Sequence, residues 1–160
     1  MRVLYVTDFY YTDSSGSKTS ARVHYQTLQN LYGSGNVDLI ALVGKSKPNN
    51  VNKEHIVISS VHNNITLLLN CLRGYPTYID KNSIRKILGI ISETKPDVIF
   101  VDNSIYGKMI RRIKISYPNI SVLAYYHDVK AKLARDWMKN APIYKKPVML
   151  AMLSLIHISE

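Results

Sequence analysis

The stretch from Arg2 to Tyr32 limits the fold more than any other part of the chain. Arg2-Val-Leu-Tyr-Val-Thr7 reads as a short buried strand. Asp8 to Ser20 is small and polar, with Asp-Ser-Ser-Gly-Ser-Lys-Thr at its centre. Ala21, Tyr25, Leu28 and Tyr32 then recur at helical spacing. A strand, a glycine-containing loop and a helix start form the unit with which open α/β folds bind ligands. Such sheets place their crevice beyond the carboxyl ends of the strands. Free N–H groups at the start of a helix favour a negative or hydroxyl-rich ligand.

The same alternation continues. Gly33 and Gly35 end the first helix, expected over Ser20–Tyr32. Val37–Val43 is apolar except at Asp38, as in a strand covered on both faces. A polar loop, Lys45–Lys53, leads to a short strand, His55–Ser59. Asn63 or Asn64 is placed to cap a helix carrying Ile65, Leu68, Leu69 and Leu72, and Tyr75–Asp80 connects it onward. Ile84, Ile87, Leu88 and Ile91 fall at i, i+3, i+4 and i+7, with Ser83 as the expected cap and Lys95-Pro96 as the stop.

Asp97–Asp102 is a fourth strand. Ser104 is the expected cap of a helix that turns Ile105, Met109, Ile110 and Ile113 inward and Arg111, Arg112 and Lys114 outward. Ser121–Tyr126 is a fifth strand. Strands joined by helices predict a doubly wound, Rossmann-like parallel sheet with helices on both faces.

At 160 residues the chain is long enough for one domain with a full core, and its 46% hydrophobic content argues against disorder. The domain is expected over 1–150. Ser154-Leu-Ile-His-Ile-Ser-Glu160 lacks capping or amphipathic logic. It resembles a translated sequencing adapter, so 151–160 is expected to be a non-native or truncated tail. Cys71 stands alone in an apolar stripe and reads as a small core residue, which suits a cytoplasmic protein. The start of the chain has no leader pattern, and Pro147–Ile158 is too short to span a bilayer, which takes about 20 residues.

The net charge is +10, and the excess is uneven. Ten lysines and arginines lie between Ser104 and Lys146, opposed by Asp128 and Asp136. Anionic lipid, nucleic acid and phosphorylated small molecules are all drawn to such a field. A solvated helix face accounts for the same charges.

Three features converge on the carboxyl rim of the expected sheet: the Ser14–Thr19 loop, the Asp102-Asn103-Ser104 turn and the Tyr125-Tyr-His-Asp128 segment. Gly16 has no Cβ and lets backbone approach a ligand closely. The G-x-G-x-x-G fingerprint is absent, since no glycine follows Gly16 before Gly33. Gly16-Ser17-Lys18-Thr19 also fails as a Walker loop, because a residue separates glycine from lysine. His127, beside Asp128, can donate a hydrogen bond to a hydroxyl or hold a neighbouring group. Asp8 and Asp102 suggest a phospho-acceptor domain, but that fold wants an acidic pair after strand one and a lysine after strand five. His24, His55, His62 and His127 show no metal-ligand spacing.

These residues carry a family resemblance. Arg2–Thr7, Ser15-Gly16-Ser17, the long first helix before Gly33, Lys95-Pro-Asp-Val-Ile-Phe-Val-Asp102 and Tyr126-His127-Asp128-Val129 together resemble the amino-terminal domain of GT-B-fold glycosyltransferases. The family 4-like retaining enzymes are the nearest group. The likeness runs from residue 1 to about 150. It departs where the family often has two adjacent glycines, here Ser15-Gly16, and where asparagine is commoner than Asp128.

The resemblance implies one half of a GT-B fold, the acceptor side. It implies transfer of a sugar from a nucleotide-diphosphate-sugar to a glycan or lipid-linked acceptor, with no metal or other cofactor. His127 would be catalytic and contact the transferred sugar. Ser15, Gly16, Ser17, Lys18, Asp102, Ser104 and Asp128 would line the substrate cleft. A second domain, absent from these 160 residues, would hold most of the donor, and the fragment alone would be inactive. The expected setting is cytoplasmic, with peripheral contact at an anionic inner membrane face and no nucleic acid partner. The alternatives are a non-catalytic α/β binding module using the basic surface, or another Rossmann-like sugar-nucleotide enzyme.

Overall fold

The computed structural model describes residues 1–8, 10–11, 15–43, 55–59, 79–102 and 106–125, with isolated positions at 66, 69–70, 73, 75, 136, 139–140, 142–143 and 146; side chains 15–17 and 55 are outside the description. Five strands make one parallel sheet: β1 (Val3–Thr7), β2 (Val37–Val43), β3 (His55–Ile58), β4 (Val98–Val101) and β5 (Ser121–Ala124). Their order across the sheet is β3-β2-β1-β4-β5. The chain starts in the middle, winds to one edge, then returns past β1 to the other. This is the strand order of a Rossmann-like sheet, and its direction reverses between β1 and β4.

Register explains why the strands are apolar. Leu4 aligns with Asp38 and Ile99, and Tyr5 with Leu39 and Phe100. All five β1 residues are buried, because helices cover both faces of the central strand. One face carries Leu4, Val6, Ile40, Leu42, Val57, Ile99 and Val101 in a single apolar core. Helix α2 (Lys81–Thr94) closes it with Ile84, Ile87 and Ile91, and α3 (Gly107–Ser116) with Met109 and Ile113. Strand alternation puts Val3, Tyr5 and Thr7 on the opposite face, where α1 (Ser15–Tyr32) packs on β1 and β2.

β2 has the ends expected from sequence, and Gly33 ends α1 as expected. Gly33 adopts φ +87°, and its N–H donates to Gln29 O at 2.8 Å. Three expectations about helix starts need correcting. Helix α1 begins at Ser15 rather than Ser20. Its apolar stripe marks where packing begins, whereas the hydrogen-bonded backbone starts earlier, through a first turn whose N–H groups have no helical partner and tolerate small polar residues.

The cap of α2 is Asp80, whose carboxylate accepts from Ser83 N at 2.7 Å; Ser83 is three residues inside the helix. Helix α3 is preceded by Tyr106, without a side-chain cap, instead of by Ser104. Met109 and Ile113 are buried and Arg111, Arg112 and Lys114 exposed, as their spacing requires. Thr66, Leu69 and Asn70 are helical; the rest of the helix expected near them, the Lys45–Lys53 loop and residues 151–160 lie outside the described residues. No described helix is long and apolar enough to cross a membrane.

Helix α2 ends at Lys95, which takes the left-handed conformation (φ 48°, ψ 59°) and donates its N–H to Ile91 O at 2.9 Å. A side chain with a Cβ is strained there. Lys95→Gly is expected to raise stability by about 0.5–1 kcal/mol, the relieved strain less the greater freedom of unfolded glycine. Asp80→Ala is expected to lower it by about 1 kcal/mol through loss of the cap. Urea unfolding midpoints at constant slope measure both, and a lower midpoint for Lys95→Gly would refute the strain argument.

Candidate functional site at the carboxyl edge

The reversal between β1 and β4 opens the sheet at its carboxyl edge, where ligands bind in folds of this order. Thr7 ends β1 there, and Asp102 follows β4, its N–H donating to Val6 O at 2.8 Å. The Asp102 side chain is fully buried, 0% exposed. A carboxylate in that position needs partners; among the described residues two hydroxyls donate to it and one imidazole lies close. The Tyr5 hydroxyl donates to Oδ2. Thr7 Oγ1 donates to the same oxygen at 3.3 Å. His24 of α1 brings Nδ1 to 3.5 Å from Oδ1. One buried group therefore ties together β1, β4 and α1.

The electrostatics follow from that burial. Desolvation is the largest effect on the Tyr5 phenol, followed by its hydrogen bond to Asp102 and the charge of that carboxylate. Together they push its pKa well above the ordinary tyrosine value. Tyr5 is therefore a permanent donor to Asp102.

Aromatic rings surround the cluster. Tyr5 stacks with Tyr25 of α1 at 6.1 Å and tilts against Phe100 of β4 at 5.7 Å. Tyr10 meets Tyr25 edge-on, and the guanidinium of Arg22 lies 5.6 Å from the Tyr10 ring centroid. On the other flank, Tyr125 stacks near Phe100 at 6.5 Å and meets the His24 ring edge-to-face at 4.9 Å. The backbone of Tyr125 extends the ladder beyond β5, its N–H donating to Val101 O at 2.8 Å. Tyr125 is 44% exposed and the His24 side chain 26% exposed, so both reach the surface.

The residues expected at the site divide as follows. Ser15, Gly16, Ser17 and Lys18 form the first turn of α1, not a loop, and Lys18 is half-buried. Asp102 lies at the expected strand end, and its carboxylate is buried beside Tyr5, Thr7 and His24. Ser104, His127 and Asp128 lie outside the described residues. Ser121 and Leu123 of β5 are exposed, because β5 is an edge strand.

Sequence reasoning overlooked His24 and Tyr5. His24 completes the i, i+3, i+4, i+7 stripe of Ala21, Tyr25 and Leu28, and a polar residue in an inward stripe signals a buried partner. That partner lies 78 positions further along the chain, beyond the reach of local periodicity. Among the described residues, no group of three His, Cys, Asp or Glu side chains converges as metal ligands would.

No protein family model, curated protein or solved structure matches this chain.

Tyr5→Phe removes the donor to a buried carboxylate, and is expected to cost about 1–3 kcal/mol near neutral pH. Because the folded state holds the phenol proton more tightly than the unfolded chain, that contribution is complete below the ordinary pKa of about 10 and falls as pH rises above it. The stability gap between wild type and Tyr5→Phe should therefore narrow above about pH 10. Denaturant titrations between neutral and strongly alkaline pH measure the gap, and a constant gap would contradict the buried donor.

Proposed function

We propose that the chain is the acceptor-side half of a retaining, nucleotide-sugar-dependent glycosyltransferase of the two-domain GT-B class. The observation that supports it most is the reversal of strand order between β1 and β4, with α1 beginning directly over that edge. The sequence resemblance supplies the family, and the fold is compatible with it. In this reading the complete enzyme holds most of the donor in a second domain and the acceptor against this one.

The chemistry then has two demands. Transfer passes through an oxocarbenium-like state, so the acceptor hydroxyl must be held in line with the anomeric carbon. The departing diphosphate must be stabilised as its charge develops. The first turn of α1, Ser15-Gly16-Ser17-Lys18, offers backbone N–H groups that have no helical partner and one ammonium, which suit a diphosphate oxygen. His127 contacts the transferred sugar in this reading, with Asp128 and Ser104 beside the cleft. No metal is assigned a role.

The exposed cations of α2 and α3, Lys81, Arg85, Lys86, Arg111, Arg112 and Lys114, suit peripheral contact with an anionic membrane carrying a lipid-linked acceptor.

In the full gene product, nucleotide release from a nucleotide-diphosphate-sugar is expected only when a glycan or lipid-linked acceptor is present. His127→Ala should lower kcat by at least about tenfold, equal to about 1.4 kcal/mol in the barrier, with a smaller effect on donor KM. Release of nucleotide from no donor, with any acceptor, would overturn the reading. Unchanged kcat in His127→Ala would remove that residue from it.

A further inference from the structure

We infer that the cavity between the carboxyl end of β3 and the start of α2 binds a phosphoryl group, held by Arg85 and Lys86, whose carrier is an organic phosphate, either soluble or presented as a lipid headgroup. This goes beyond the glycosyltransferase reading and stands without it.

The fold puts the cavity on the carboxyl edge of the sheet. Just past α2, Asp97 donates its N–H to Arg2 O at 2.8 Å, at the amino end of β1. The helix therefore ends at the amino edge and starts at the carboxyl edge, beside Ile58 at the end of β3. The cavity measures about 370 Å³ and is lined by Ile58, Asp80, Asn82, Arg85 and Lys86. Small-molecule sites span about 300–1,000 Å³, so there is room for the organic body of a ligand as well as its charged group.

Side chains carry the recognition. The first turn of α2 is already capped, since Asp80 accepts from Ser83 N at 2.7 Å. Asn82, Arg85 and Lys86 stand at i, i+3 and i+4, which gathers them on one face of the helix. Arg85 gives one N–H of its guanidinium to Asn82 Oδ1 at 3.2 Å and keeps further donors. Lys86 has neither hydrogen bond nor ion pair among the described residues. Cations of α3 are committed differently: Lys108 donates to Arg73 O, and Lys114 to Pro118 O and Ile120 O. A guanidinium offers paired donors to two oxygens of a phosphoryl group, and an ammonium adds a point charge at a third. Against these two positive charges stands the single carboxylate of Asp80, so the lining keeps a positive surplus. A phosphomonoester, close to a dianion at neutral pH, suits two cations better than a singly charged carboxylate does. Ile58, 37% exposed, gives the carbon-bound part of the ligand an apolar wall.

The test titrates the isotope-labelled 160-residue chain with glucose 6-phosphate, glucose and inorganic phosphate at constant ionic strength, following backbone amides and the Arg85 Nε–H by NMR. Glucose 6-phosphate should move the Ile58, Asn82 and Lys86 amides and the Arg85 Nε–H together and to saturation, and glucose should not. Arg85→Gln combined with Lys86→Gln should weaken this binding at least about tenfold. Lys95→Gly removes one positive charge at the far end of α2, about 21 Å away and beyond the screening length of about 8 Å, and should leave binding within about twofold. Arg85 and Lys86 are exposed, and the wild-type titration needs no variant. Sedimentation with phosphatidylcholine vesicles, with and without phosphatidic acid, separates the two sources. Retention that requires both phosphatidic acid and the two cations assigns a headgroup; saturable glucose 6-phosphate binding without such retention assigns a soluble ligand.

Glucose that moves the same signals as well as its phosphate does overturns the phosphoryl assignment. Inorganic phosphate that binds as tightly as glucose 6-phosphate, with no vesicle retention, leaves an adventitious ion only and overturns the inference. A loss in Lys95→Gly equal to that of the double variant makes the attraction a general field and overturns it too. So does the absence of both saturable shifts and vesicle retention; the glycosyltransferase reading then still rests on its own assay.

Discussion

A carboxylate with no exposed surface sits where the sheet reverses direction, and the carboxyl edge is organised around it. Asp102 cannot be hydrated, so its ligands must come from the protein. Among the described residues they come from Tyr5 and Thr7 of β1 and from His24 of α1, while the Asp102 N–H joins β4 to β1 through Val6 O. Breaking such a pair by removing one partner leaves a buried charge uncompensated, a far larger penalty than losing one surface hydrogen bond. These contacts tie the placement of β1, β4 and α1 to one buried group. Rigid supports are what a binding site needs if ligand groups are to meet fixed donors and acceptors.

The two ends of β1 are held by different physics. At the amino end, Arg2 donates its N–H to Asp97 at 2.7 Å and brings its guanidinium to 3.4 Å from Asp38. Those charges are partly or largely exposed, so the ion pair is screened by salt and contributes little. At the carboxyl end the ties are buried and directional. Both ends link β1 to its neighbours, yet only one is costly to disturb, and that one borders the crevice.

Local pattern carried much of the fold. The apolar run of Val37–Val43 and the stripe of Ile84, Ile87 and Ile91 depend on neighbours a few residues away, so their elements were legible with the right faces. Helix starts were not. Ser15–Lys18 lacks an apolar stripe, and Asp80 competes with Ser83 as a cap through backbone geometry that side-chain identity does not state. The core of the candidate site was least legible. Asp102 was visible as a polar residue at a strand end, but Tyr5 lies 97 positions away and looked like one more apolar strand residue. The topology, not any motif, brings the two together.

The stripe on α1 shows how a contact to a buried carboxylate can be carried among packing residues. Ala21, Tyr25 and Leu28 press the helix onto the sheet, and His24 stands among them with one ring nitrogen turned to Asp102. An aliphatic residue at 24 would leave Oδ1 of a buried carboxylate without that partner. A lysine would bring a longer, more strongly hydrated charge into a space bounded by Phe100 and Tyr125. Imidazole is flat enough to lie beside those rings and polar enough to face the Asp102 carboxylate. The same side chain thus serves the packing of α1 and the surroundings of Asp102, so position 24 is constrained by both.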